Sequence, residues 1–281
     1  MTKRLNGDGA VRADTEEKEN EQACKRGTPL NADLKKVAFL RAGKGRDLVL
    51  LHGYLSSKEA FLPLIDYFSG SYRVTAIDFC GFGESEALPY AFSVSDYAEW
   101  TENAFYSLGL NHPLCIAHSF GCRVAVKMSA RAAETAAGTK IPPQSFGGFD
   151  KLILTGPAGI LAKKTFSYRV KVKTYRFVRK IFPAFAERHF GSEEYRTLSP
   201  VMKESYKKIV GEDLRGDIAK TDCETLVIEG EEDRVTTMAE AEEYAALLPG
   251  GTLKTIRGGH FAFCENPLDF CLMAEEFFSH G

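Results

Sequence analysis

The 281-residue sequence contains no apolar run approaching the roughly 18 residues that would span a bilayer. Its polar opening, MTKRLNGDGAVRADTEEKENEQACKRG, lacks the apolar segment of a secretory signal, so a soluble, cytoplasmic chain is expected. An excess of one charge is missing as well: 36 Lys and Arg stand against 38 Asp and Glu, a net charge of −2. That balance gives no overall basic footprint, and no nucleic-acid partner is expected. The seven cysteines are odd in number and no two are spaced CxxC. They read as reduced thiols, with Cys115 and Cys122 in apolar settings where a thiol packs as a small hydrophobe. There is no HxxxH or Cys/His ligand spacing to make a metal centre from His52, His118 and His260, and no metal or other cofactor is expected. Repeats are absent, as are low-complexity tracts beyond the charged N-terminal stretch.

What is present is a globular composition, 44% hydrophobic and 26% charged, in a chain long enough for a sizeable core. Residues 1–30 carry many charges and few large apolar side chains; they read as a flexible tail. Beyond them strand and helix alternate. LKKVAFLRAG and DLVLLHG read as two strands joined by the turn GKGR, KEAFLPLIDYFSG as a helix and YRVTAID as a strand. SDYAEWTENAFYSLG reads as a helix opened by a Ser or Asp cap, PLCIAH as a strand, residues 119 to about 136 as a helix and KLILTG as a strand. TLVIEG, MAEAEEYAALLP, GTLKTIRGG and NPLDFCLMAEEFFSH continue the alternation as strand, helix, strand and helix. Short unbroken apolar runs such as LVLL, LCIA and LIL suit strands buried on both faces. The expected architecture is therefore α/β, a mostly parallel central sheet flanked by helices.

One segment interrupts that rhythm. Between LILTGPAG and TLVIEG lie about 65 residues without a convincing strand, too long for a structureless loop in a compact domain. They read as a helical cap over 159–215, inserted between core segments 31–158 and 216–281. Residues 160–189 of it carry nine Lys or Arg against the single acid Glu187, interleaved with aromatic and aliphatic side chains. The plain reading is a solvated helix roofing a pocket; the sharper one is peripheral contact with anionic substrates or membrane headgroups.

CIAHSFGC, residues 115–122, sets a hydroxyl at the junction of a strand and a helix. A tight turn there lifts Ser119 at the C-terminal sheet edge, where the helix N-terminus offers backbone N–H groups to developing negative charge. Small residues are needed two positions either side, and Ala117 and Gly121 occupy them. The stretch resembles the nucleophile elbow of the α/β-hydrolase family, usually GxSxG, with Ala for the first Gly. A serine hydroxyl needs a base, and the base needs a carboxylate to fix its tautomer. In the family's order of Ser, acid, His, RGGHFAF offers His260 and EGEEDRV offers Asp233. Glu231 and Glu232 are neighbours that could serve as the acid, while the family's GxxD spacing matches Gly230 and Asp233.

LLHGYLSS resembles the family's HG loop, which implies an oxyanion hole from the backbone N–H groups of Tyr54 and Phe120. His52, Gly53 and Phe261 are expected at the substrate site, with His52 organising the loop and His118 packed behind. DFCGFGES matches the family's DxxGxGxS turn at Asp78, Gly81, Gly83 and Ser85. A dinucleotide loop is disfavoured because Glu86 replaces the third glycine of GxGxxG. The resemblance, over about residues 34–279, implies a carboxylesterase-like serine hydrolase acting on a small-molecule acyl substrate through an acyl-enzyme. An acyltransferase, a C–C bond hydrolase and a non-catalytic binding protein are the alternatives the fold permits. Oligomeric state is left open.

Overall fold

The computed structural model describes residues 37–138, 146–161 and 197–279. Seven strands are found there: Phe39–Ala42 (β1), Arg46–Leu51 (β2), Tyr72–Ile77 (β3), Leu114–His118 (β4), Lys151–Thr155 (β5), Glu224–Gly230 (β6) and Thr252–Ile256 (β7). They form one sheet in the order β1-β3-β2-β4-β5-β6-β7, antiparallel at β1–β3 and parallel everywhere else.

The apolar runs of the central strands follow from cover on both faces. Leu50, Ile116, Ile153 and Leu226 stand opposite one another across four strands and, with Phe61, Phe68, Phe263 and Phe270, fill one core. Helices Leu62–Phe68 (α1) and Pro267–Ser279 (α8) supply Phe68 and Phe270. Strand alternation sends Val49, Cys115, Leu152 and Val227 to the other face, where each is fully buried. Phe120–Ala136 (α3) and Met238–Leu247 (α6) pack against these strands, and Val94–Ser107 (α2) packs on α3. Each fully buried Leu or Phe contributes roughly 1.5–3 kcal/mol, so this double layer is what fixes the sheet.

One local reading holds and one is corrected. GKGR does join β1 to β2, but β1 pairs with β3 and not with its neighbour in sequence. The connection crosses the start of β3 so closely that a Cβ on Gly43, whose φ is +80°, would strike the carbonyls of Ser69 and Tyr72. Helix α2 begins earlier than read: Ser93 is its cap, accepting from the Asp96 N–H at 3.2 Å while Asp96 accepts from the Ser93 N–H at 2.6 Å.

The tail at 1–30 lies outside the described residues, as do positions 162–196 of the cap, most of its basic stretch included. Within the described remainder of 159–215, Pro200–Gly211 (α4) is helical, and Arg215–Ile218 (α5) starts at the last residue of that range. Buried Arg123 on α3 donates to the carbonyls of Ile209 (2.9 Å) and Glu212 (3.0 Å), completing the C-terminus of α4. Ser205 and Lys208 of α4 donate to the carbonyls of Phe92 and Ala91. Among the described residues no helix is long and apolar enough to cross a membrane.

Candidate active site

Because β2 and β4–β7 run in parallel, the segments that follow β4, β6 and β7 emerge at one edge of the sheet. Strand β4 ends at His118 and α3 starts at Phe120, so Ser119 alone makes the turn. Its φ of 52° and ψ of −107° are a strained conformation for a residue with a Cβ. Backbone hydrogen bonds hold it there: its N–H donates to Thr155 at 3.0 Å, and its carbonyl accepts from Cys122 at 3.1 Å and Ala158 at 3.4 Å.

Close packing on both sides explains the small residues. A Cβ on Gly121 would collide with the Leu51 carbonyl and lie 3.0 Å from that of His52, so α3 starts against the end of β2. A Cβ on Gly53 would stand 2.9 Å from His118 Nδ1 and 3.4 Å from Ser119 Cβ, so the HG loop rests on the serine. The Phe120 N–H belongs to the first turn of α3, whose amides have no partner within the helix.

Ser119, His260 and Asp233 come together. His260 Nε2 is 2.9 Å from Ser119 Oγ, and His260 Nδ1 is 2.7 Å from Asp233 Oδ2. Ser119 is half-buried, the His260 side chain is 12% exposed and that of Asp233 only 1%, so the line runs from a reachable hydroxyl to an interior carboxylate. Asp233 Oδ1 accepts from the backbone N–H groups of Val235 (2.7 Å) and Thr236 (3.1 Å), and Oδ2 accepts from the Thr236 hydroxyl (2.8 Å). Burial pulls the Asp233 pKa upward, but His260 and these donors outweigh it and hold the carboxyl well below the usual range. With an acceptor at Nδ1, His260 carries its proton there and turns a bare Nε2 toward Ser119. Such an arrangement can withdraw a proton from the serine. Glu231 and Glu232, the other carboxylates of the loop, are exposed.

The remaining residues named from sequence divide. Tyr54 is half-buried, its ring against Phe82, Phe120 and Tyr206, and its hydroxyl donates to the Met202 carbonyl of α4 at 3.1 Å. Phe261 is 43% exposed on the rim, its ring 4.9 Å from that of His118. His52 differs from a substrate contact: it is fully buried, with Nδ1–H donating to the Gly53 carbonyl at 2.7 Å and Nε2 accepting from the Phe79 N–H at 3.0 Å. Burial lowers its pKa to about 4, so it is a neutral strut tying the HG loop to the end of β3. His118, buried and lowered to about 3 by burial and then by His260, donates from Nε2 to the His260 carbonyl at 2.9 Å. Asp78 binds its own turn, accepting from the Glu84 N–H and from buried Lys58 through both backbone and side chain.

Three neighbours were not anticipated. Gly156 follows β5, and a Cβ there would lie 3.1 Å from the His260 ring and 3.4 Å from Asp233 Oδ2; its φ of +53° also favours glycine. Thr236 and Glu229 stand behind Asp233. The signal for Glu229 was visible, a lone charged residue inside the apolar strand TLVIEG. A cleft of about 470 Å³ opens between Gly81–Leu88 and Thr197–Met202, and none of Ser119, Asp233 and His260 lines it.

A model of the alpha/beta hydrolase family matches residues 48–272. Among curated proteins, the chain is 33% identical over 91 residues to (E)-2-((N-methylformamido)methylene)succinate hydrolase of Acinetobacter baylyi, a match spanning 32% of this chain and 35% of that protein. It is 26% identical over 234 residues to the pimeloyl-[acyl-carrier protein] methyl ester esterase of Stenotrophomonas maltophilia, covering 79% of this chain and 88% of that one. Among solved structures, the enol-lactonase of Burkholderia xenovorans superposes with a TM-score of 0.65 at 18% identity, covering 87% of this chain and 96% of that one, a likeness of fold.

Proposed function

Because the chain belongs to the alpha/beta hydrolase family, we propose that it hydrolyses an ester-type acyl bond through Ser119, His260 and Asp233, by way of an acyl-enzyme. The observation that carries this reading is the unbroken line from Ser119 Oγ to His260 Nε2 at 2.9 Å and from His260 Nδ1 to Asp233 Oδ2 at 2.7 Å. Ser119 Oγ attacks the acyl carbonyl as His260 Nε2 takes its proton. Asp233 keeps the Nδ1–H tautomer and stabilises the imidazolium. The carbonyl oxygen becomes an oxyanion, accepting from the N–H groups of Tyr54 and Phe120, each worth roughly 3 kcal/mol in the transition state. Collapse expels the alcohol, protonated by His260, and water repeats the sequence to release the acid.

The ester and lactone chemistry in the names of the relatives supports an ester-type bond for this chain, since both reactions pass through the same oxyanion. A fluorophosphonate probe tests the nucleophile: wild-type protein should be labelled at Ser119, and Ser119→Ala should not. Labelling that survives in Ser119→Ala, or a wild-type protein that takes up no probe and cleaves none of a series of acyl esters of graded chain length, would overturn the reading.

A further inference from the structure

Glu229 has no part in the proton path just described, yet it is the penultimate residue of β6, fully buried, and four residues before Asp233. One of its oxygens, Oε2, finds no hydrogen-bond partner among the described residues. The other, Oε1, stands 3.4 Å from the Thr236 hydroxyl oxygen, while that hydroxyl lies 2.8 Å from Asp233 Oδ2. Thr236 has one hydroxyl proton, and the shorter contact takes it, so the side facing Glu229 is a lone pair. Thr236 Oγ1 thus stands between the Glu229 and Asp233 carboxyls, and the Asp233 charge bears on Glu229. Two carboxylates at that range cannot both be charged in a buried site. A proton on Glu229 removes the repulsion and supplies the donor that the acceptors around it call for.

The groups that bear on this carboxyl bring no positive charge to hold it ionised: Asp233 and Thr236 come from the loop after β6, Glu240 from the first turn of α6 and the Cys122 thiol from α3. Burial, and then Asp233, raise the Glu229 pKa to about 8.

We propose that Glu229 is a positioning residue for the triad: a carboxylic acid that keeps its proton and, together with the Thr236 hydroxyl, holds the Asp233 carboxylate in place against His260. This rests on the reading of Ser119, His260 and Asp233 as the reacting residues. In the acid form Glu229 completes the acceptor and donor set around Asp233 without adding charge. Once ionised it sets a second negative charge against Asp233, and the Asp233–His260 contact must loosen.

The experiment follows the second-order rate of fluorophosphonate labelling from pH 6 to pH 10 in the wild type, Glu229→Gln and Glu229→Val, beside the far-downfield proton resonance of His260 Nδ1–H. Glu229→Gln keeps the shape and a neutral donor. It should label within about threefold of wild type at pH 7 and hold its rate and resonance above pH 8, where wild type loses both. Glu229→Val, which has no donor, should label at least about tenfold slower throughout that range. An alkaline decline in Glu229→Gln identical to wild type, or a folded Glu229→Val with the wild-type rate and profile, would overturn the proposal. If Glu229→Val does not fold, Glu229→Gln decides alone. A wild type that takes no label sinks the triad reading instead, and the resonance then still decides whether Glu229 governs the Asp233–His260 contact.

Discussion

Asp233→Asn changes one atom and should remove almost all activity. The carboxylate receives four donors: the backbone N–H groups of Val235 and Thr236 on Oδ1, and the Thr236 hydroxyl and His260 Nδ1–H on Oδ2. An asparagine offers one acceptor oxygen and one NH2 group. The two backbone donors cannot turn away, so the amide oxygen takes the Oδ1 place and the NH2 takes that of Oδ2. Thr236 can rotate its hydroxyl to accept, but His260 must then accept at Nδ1, and its proton passes to Nε2. The imidazole now presents a donor to Ser119 and cannot take its proton. Loss of the correct tautomer costs about 10⁴-fold in kcat, equivalent to about 5 kcal/mol of transition-state stabilisation. Substrate binding does not depend on the tautomer, so KM should stay within a few-fold. Steady-state hydrolysis of an acyl ester, normalised by thermal unfolding to the folded fraction, measures both. A kcat reduced less than tenfold, or a loss carried by KM, would refute the tautomer argument.

Other outcomes follow from the same contacts. Glu229 has a folded-state pKa raised from 4.5 to about 8, so the stability linked to its acid form is complete below pH 4.5 and falls as pH rises toward 8. Glu229→Gln should therefore gain stability relative to wild type across that window, by at most about 1.4 kcal/mol per pH unit, in urea titrations at pH 5 and pH 7.5; a constant difference would contradict this. Lys58, 3% exposed, ties its ammonium to fully buried Asp78 at 2.8 Å, so Lys58→Met strands a buried charge and should cost about 3–5 kcal/mol. The double substitution Lys58→Met with Asp78→Leu should recover part of that loss, and a double variant no more stable than the single one would argue against it. Tyr54→Phe removes the hydroxyl that donates to the Met202 carbonyl, so unfolding should show about 0.5–1.5 kcal/mol lost while labelling of Ser119 changes less than about threefold. A larger fall in labelling would mean that the Tyr54 hydroxyl, and not its backbone N–H, serves the oxyanion.

Much of the sheet was legible because each central strand is a short apolar run, as in LCIA and LIL, whose length and flanking residues favour a buried strand over a helix. Chain order and strand polarity then carry Ser119, Asp233 and His260 to one edge without any knowledge of their contacts. What escaped was set by partners distant in sequence. The β1–β3 pairing depends on which edge of the sheet is open, which the turn GKGR does not encode. Ala262–Glu265 (α7) forms a single helical turn, too short to leave a period in the sequence. The orientation of His52 depends on the Phe79 N–H, 27 residues away.

The choice among Glu231, Glu232 and Asp233 shows where the boundary lies. All three are carboxylates on one loop, and composition ranks none above the others. The turn decides: Glu231 and Glu232 donate their N–H groups to the carbonyls of Ile256 and Gly258, and Asp233 donates to Gly230. The loop is thereby stitched to the end of β7, which sends two side chains outward and brings the third against the histidine emerging from that strand. GxxD spacing carries this information because Gly230 passes so close to the next loop that a Cβ there would strike the Gly259 carbonyl. The glycine fixes the approach of the two loops, and the position three residues on is the one that faces inward. Glu229 faces inward for a different reason, strand alternation, and the two carboxyls therefore meet behind the histidine although one belongs to the strand and the other to its loop.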